Sequence, residues 1–170
     1  TDPQARYAAL DSGEIMGVLD LGAMPAALGE ELLKDERFAM ASQTSTITHM
    51  MLLKGEGTKF SDARLRQAVS LAIDRQLIVD QLWNGYGNRM CPDWVELPVE
   101  YDMEKAKALA KEVLGDSRIP LDMYTRSLYL DRGPYKEMME YIQSQLSQIG
   151  IDATVNVIDS PTYSEMSKAG

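Results

Sequence analysis

Apolar positions along this chain follow two rhythms, and the last third shows both most cleanly. Residues 134–149 place Met138, Tyr141, Ile142, Leu146 and Ile149 on one side, the stripe of an amphipathic helix, and Gly150 stops it. Ile151, Ala153, Val155 and Val157 then alternate with Asp152, Thr154 and Asn156, the period of a half-buried strand over 151–158. Pro120 to Thr125 is a second strand candidate ahead of the helix. Strand, helix and strand in that order predict a parallel pair with a right-handed crossover. Ser160 and Pro161 open one more helix.

The earlier residues extend the picture. Asp2 caps and Pro3 begins a helix with Tyr7, Ala5, Ala8 and Ala9 on its apolar side, ended by Gly13. Ile15 to Leu19, a short apolar run between glycines, reads as a buried strand. Pro25 opens a helix carrying Leu28, Leu32 and Leu33. Two strands are expected at about 37–43 and 46–53, then a polar loop at 54–59. Ser61 or Asp62 caps a strong helix with Leu65, Ala68, Val69 and Ala72 on one face. Asp74 caps the next helix, with Ile78, Val79 and Leu82, stopped near Asn84 and Gly85. Residues 88–99 contain Pro92 and Pro98 and read as loop. Asp102 caps a Lys/Glu/Ala-rich helix ending at Gly115. Helices alternating with strands give an α/β fold class, a mixed sheet flanked by helices.

The chain has 170 residues and a formal net charge of -9, enough length for one domain with its own core. A nucleic-acid partner would call for a clustered basic patch, which the sequence lacks. No apolar run reaches the roughly 18 residues of a membrane span, and the first residues show no export signal. The chain stops soon after a strand and a short helix, an expected sign of a piece cut from something longer.

Candidate chemistry is sparse. Cys91 and His49 are the single cysteine and histidine, so a disulfide within the chain and a multi-His or multi-Cys metal site are both excluded. A Cys91–His49 dyad has no supporting spacing, and His49 beside Met50 and Met51 suits packing better than catalysis. Of the 11 methionines, Met16, Met40, Met51, Met138 and Met139 fall in apolar-periodic segments, where methionine fills core gaps. Arg64 and Arg66 near a helix start are expected to make ion pairs, and Glu30, Glu31, Asp35 and Glu36 to form a solvated face. Glycines 55, 57, 85 and 87 match no phosphate-binding spacing. No catalytic residue, metal site or cofactor is expected.

One stretch is more specific. Phe60 to Gly87 reads FSDARLRQAVSLAIDRQLIVDQLWNGYG. Upstream stand Ala5-Arg6 and Leu10-Asp11-Ser12-Gly13-Glu14-Ile15. Downstream stand Tyr101-Asp102-Met103-Glu104-Lys105-Ala106-Lys107-Ala108-Leu109, then Ile142-Gln143 with Gln145-Leu146 and Ile149-Gly150-Ile151. In order and spacing these four blocks resemble the bacterial extracellular solute-binding proteins of family 5. Met16 replaces the family's usual aspartate, Lys54 stands near its usual asparagine, and the loop 89–98 is short.

The resemblance implies one lobe of a periplasmic-binding-protein-like fold (type II, cluster C). Residues 1–170 would be a single domain within the second, C-terminal lobe of a two-lobed protein. It implies the substrate-binding component of an ABC importer for oligopeptides, dipeptides or nickel complexes, not an enzyme. Its partners would be a peptide or metal-chelate ligand held with the other lobe, and a membrane permease. The protein would be a monomer working outside the cytoplasm, in the periplasm or as a surface lipoprotein. Most ligand contacts would lie outside these residues. Tyr163 stands where nickel-binding relatives turn a tyrosine to the cleft and is the one ligand-binding candidate, against the alternative that it packs its helix on the sheet. The other classes weighed are a small Cys91-dependent enzyme and the solute-sensing domain of a regulator.

Overall fold

The computed structural model describes residues 2–19, 24–41, 51–86, 100–130 and 133–169. Its centre is the crossover read from the sequence. β1 (Ile119–Arg126) leads into α6 (Tyr135–Gln148), which returns the chain to β2 (Ile151–Ile158). The strands are parallel, with Ile119 opposite Ile151 and Arg126 opposite Ile158. Gly150 at φ 81° makes the tight passage from α6 into β2, a backbone angle that a side chain would strain. α6 lays Ile142, Leu146 and Ile149 on Ile151 and Ala153, and Leu146 and Ile151 are fully buried. α7 (Ser160–Ala169) comes after β2 and turns back against β1.

A helical layer continues the same core. α3 (Ala63–Ala72) packs on α5 (Met103–Leu114) through small residues, Ala68 and Ala72 against Ala106 and Ala110. Aspartates fix the helix starts: Asp62 accepts from the Arg64 amide at 2.9 Å, Asp74 from Leu77 at 3.0 Å and Asp102 from Lys105 at 2.9 Å. Asp62 is therefore the α3 cap, while Ser61 belongs to a 3-10 turn, Lys59–Ser61. α4 (Arg75–Leu77) passes directly into a π-helical turn, Ile78–Leu82.

The arginines of the signature stretch are structural, in two different ways. Arg64 pairs with Asp62 at 2.8 Å and Glu112 at 3.4 Å. Arg66 makes no such pair among the described residues. It donates to the Phe60 and Ser61 carbonyls at 2.6 and 2.9 Å, latching the preceding turn. Arg75 likewise donates to the Ser70 carbonyl at 2.8 Å, tying α4 to α3. An arginine fork satisfies carbonyls that turns leave unbonded, so these positions need its geometry as well as its charge.

The N-terminal expectations fare unevenly. α1 (Pro3–Asp11) forms under its Asp2 cap, and α2 (Ala26–Leu32) buries Leu32. Ile15 to Leu19 is not a buried strand: Met16 and Leu19 are fully exposed, and Ile15 folds its amide back to Ala9 at 3.1 Å. An apolar run becomes a strand only with a neighbour to bond, and no such neighbour adjoins it among the described residues. Residues 37–41 are not a strand either. Asp35 accepts from both the amide and the guanidinium of Arg37, which also pairs with Asp11 at 2.8 Å, so a turn forms instead. Residues 51–53 are irregular; 42–50 and 88–99, with His49, Met50 and Cys91, lie outside the described residues. The methionine reading holds for half-buried Met138 and Met139 but not for Met16, Met40 and Met51, which are exposed on segments without a core to enter.

The packing and the caps each generate a prediction. Leu146→Ala should cost about 2–5 kcal/mol because it empties a site where helix and sheet meet, whereas exposed Met166→Ala should stay within roughly 0.5 kcal/mol of the parent; denaturant midpoints decide both. Hydrogen bonds from Arg118 and Arg64 hold the carboxyls of Asp152 and Asp62 below the usual aspartate range. A depressed carboxylate stabilises fully above its unfolded-state pKa and ceases to do so as pH falls through its folded-state value. Thermal midpoints should therefore hold steady at neutral pH and fall below about pH 4, and Asp152→Asn should flatten that acid limb.

Candidate functional site

Parallel strands release the chain at the same end of the sheet. Arg126 is the last residue of β1, and the chain beyond it makes a 3-10 turn, Ser127–Tyr129. α6 starts at Tyr135 beside this turn, and α7 starts just past the end of β2 and brings Tyr163 in. In open α/β sheets ligands bind in this place, outside the carboxyl ends of the strands.

Here an aromatic row holds one cation. The Arg126 guanidinium lies over the Tyr129 ring, 4.5 Å from its centre, and over the Tyr163 ring at 5.2 Å. It also donates to the Tyr129 hydroxyl. Tyr129 stacks on Tyr135 with centres 5.2 Å apart, and Trp83 meets Tyr135 edge-on at 5.3 Å. All five side chains are half-buried. Cation–ring contacts of this kind hold a guanidinium in place and leave its outer N–H groups available.

Arg126 differs from the other cations near the sheet. Arg118 is occupied by Asp152 and Ser147, and Arg64 by Asp62 and Glu112. Arg126 has no carboxylate within ion-pair range among the described residues. Its position favours an external anion, and the amino end of α6 nearby adds the positive end of a helix dipole.

Trp83 reaches the row because of its backbone. Its amide bonds the Ile78 carbonyl at 3.3 Å, one residue further back than in an α-helix, and Asn84 turns the chain at φ 49°. Gly133 lets the indole approach: a Cβ there would sit 2.7 Å from Trp83 Cη2 and 3.3 Å from Tyr135 Cε2. Of these residues the sequence pointed only to Tyr163. Arg126, Tyr129, Tyr135 and Trp83 come from three separate segments, and the one available signal was aromatic residues flanking a cation past a strand end.

Among the described residues no three His, Cys, Asp or Glu side chains converge as metal ligands, and no helix is long and apolar enough to cross a membrane.

Comparison with known proteins agrees with this architecture. The family described as bacterial extracellular solute-binding proteins, family 5 Middle, matches residues 1–170. An ABC transporter peptide-binding protein of Brucella ovis is 26% identical over 175 residues, covering 97% of this chain and 32% of that protein. A glutathione-binding protein of Salmonella choleraesuis is 24% identical, covering 94% of this chain and 32% of its own. The periplasmic binding protein of Helicobacter pylori solved with the peptide STSA superposes at TM-score 0.71 with 24% identity, over 95% of this chain and 32% of that one. The nickel–histidine complex of a Campylobacter jejuni protein superposes at TM-score 0.65 with 19% identity, over 94% of this chain and 35% of that one. Both superpositions show a shared type II periplasmic-binding fold. The chain spans about a third of the length of the curated relatives it matches.

The row makes one prediction. Gly133→Ala should push the Trp83 indole off Tyr135 while the core stays intact, seen as a changed near-ultraviolet dichroism with an unchanged far-ultraviolet spectrum. An unaltered aromatic spectrum would show that the row does not depend on this close approach.

Proposed function

We infer, because this chain belongs to the bacterial extracellular solute-binding proteins of family 5, that it is one wall of the ligand cleft in a larger receptor serving an ABC importer. Solute-binding proteins of this family carry cargo without transforming it, so the chain is part of a binding protein and not of an enzyme. The receptor works outside the cytoplasm, as a monomer, and delivers its ligand to a membrane permease. Residues 1–170 form a single domain within its second lobe.

The observation that carries the reading is Arg126, held between Tyr129 and Tyr163 at the carboxyl end of the sheet. It is suited to a carboxylate on a small organic solute, with the tyrosine rings as an apolar wall beside it. Peptides, glutathione and amino-acid chelates of nickel all carry such a carboxylate, and the relatives' names cover these cargoes. Tyr163 has a supporting role, fixing the cation rather than choosing the cargo. Tight binding needs both walls of the cleft, because a small ligand must be mostly buried to bind well. A hinge that closes the two lobes supplies the second wall.

Titration of the whole protein with short peptides, glutathione and nickel–histidine tests this. A charge-assisted hydrogen bond contributes about 1.5–3 kcal/mol, so Arg126→Gln should weaken the cargo roughly 10- to 150-fold at an unchanged thermal midpoint without ligand. Amidating the carboxylate of a peptide cargo should weaken wild type similarly and leave Arg126→Gln unaffected. Equal affinity in wild type and Arg126→Gln would remove Arg126 from the site.

A further inference from the structure

Trp83 is followed by Asn84 and Gly85, and this pair closes the π-helical turn. Asn84, at φ 49°, is the one non-glycine residue with positive φ among the described residues, and Gly85 follows at φ 77°. Asparagine enters this left-handed region more readily than most residues, and glycine does so freely. The pair therefore makes the sharp exit behind the indole. Asn84, Gly85 and Tyr86 are exposed, and the π-helical turn before them buries no residue.

The same pair is chemically reactive. The Asn84 side-chain amide lies one residue from the Gly85 nitrogen, and glycine has no side chain to obstruct that nitrogen. Joined by the chain, the two groups meet without the entropic cost of bringing separate molecules together. In the folded protein the Gly85 amide donates to the Val79 carbonyl at 2.9 Å, so attack follows opening of this last turn. A helix end without buried side chains opens locally, well short of global unfolding. Asn84 is held lightly, its Nδ2 donating to the Glu30 carboxylate at 3.3 Å between exposed groups. Asn156 is the contrast. It sits within β2, its Nδ2 bonds Asp122 and the Thr154 carbonyl at 3.3 Å, and β-branched Val157 follows it.

We propose that Asn84 is a site of spontaneous deamidation, a covalent change confined to the turn behind Trp83. The Gly85 nitrogen bonds the Asn84 Cγ, and the Cγ–Nδ2 bond breaks. The proton given up by Gly85 ends on the departing nitrogen, which leaves as ammonia. Water from solvent then opens the cyclic imide at either carbonyl, restoring the N–H and yielding aspartate or isoaspartate. Nothing is oxidised or reduced. Both products put a carboxylate where Nδ2 donated to Glu30, so a hydrogen bond between this turn and α2 becomes a repulsion of like charges. Isoaspartate also routes the backbone through the side chain, lengthening the chain just after Trp83. The proposal is independent of the transport reading, because it needs only the turn.

Ageing the whole protein at mildly alkaline pH tests it, since the attacking nitrogen must lose its proton. Peptide mapping by mass should find aspartate and isoaspartate at residue 84. Conversion there should run roughly tenfold or more faster than at Asn156, a factor worth about 1.4 kcal/mol of barrier. Ion exchange should resolve an aged form with one added negative charge, and Asn84→Asp should elute with that form before any ageing. Asn84→Gln, which must close a larger ring, should suppress it at an unchanged far-ultraviolet spectrum. Retention of the amide at residue 84 in the native protein, whether or not a denatured sample converts, would overturn the proposal. So would native conversion at Asn88 or Asn156 in preference to Asn84.

Discussion

The parallel sense of β1 and β2 is the constraint on which the remaining architecture depends. Two parallel neighbours cannot be joined by a short turn, so α6 must cross one face of the pair and bury its stripe there. That crossing makes Leu146 and Ile151 the most enclosed side chains on the sheet side of the core. It also directs every exit to one end. Arg126, the start of α6 and the start of α7 meet there without any contact having been built for that purpose, and the tyrosines of the aromatic row come from the segments leaving the sheet, with Trp83 added from the π-helical turn.

Much of this was legible because local signals agreed. Asp2, Asp62, Asp74 and Asp102 each sit just before a helix and each caps it, and the strict alternation of residues 151–158 gave β2 at its full extent. Ile15 to Leu19 misled because strand character depends on a partner that periodicity does not report. Arg37 misled because its pairing with Asp11 joins residues far apart in sequence. Val157 keeps the alternation yet stays exposed, since it lies beyond the part of β2 that α6 covers. The site was the least legible part. Tyr163 came from a resemblance, and Arg126 gains its meaning only when its neighbours from α6 and α7 are in place.

Four arginines of the chain illustrate how one side chain divides its uses. Arg66 and Arg75 spend their donors on carbonyls of turns, and Arg118 braces the Asp152 end of β2 while reaching the last turn of α6. These uses draw on the guanidinium's breadth. Arg126 alone of the four is held mainly by ring faces, which grip a cation without consuming all of its hydrogen-bonding capacity. The same residue type thus builds the core layers and lines the carboxyl end of the sheet, and the distinction lies in what surrounds each one.

The π-helical turn at Ile78–Leu82 has an implication for how this surface can vary. Such a turn holds one residue more than an α-helical turn, and one residue is worth about 100° of rotation about the helix axis. Trp83 therefore occupies a direction that a regular helix of the same start could not offer. Losing a single residue there would restore the ladder and swing the indole away from Tyr135 while leaving the core face of α3 in phase. Length variation of one residue, with no change of side-chain chemistry, is a route by which related chains can reshape the space beside the sheet.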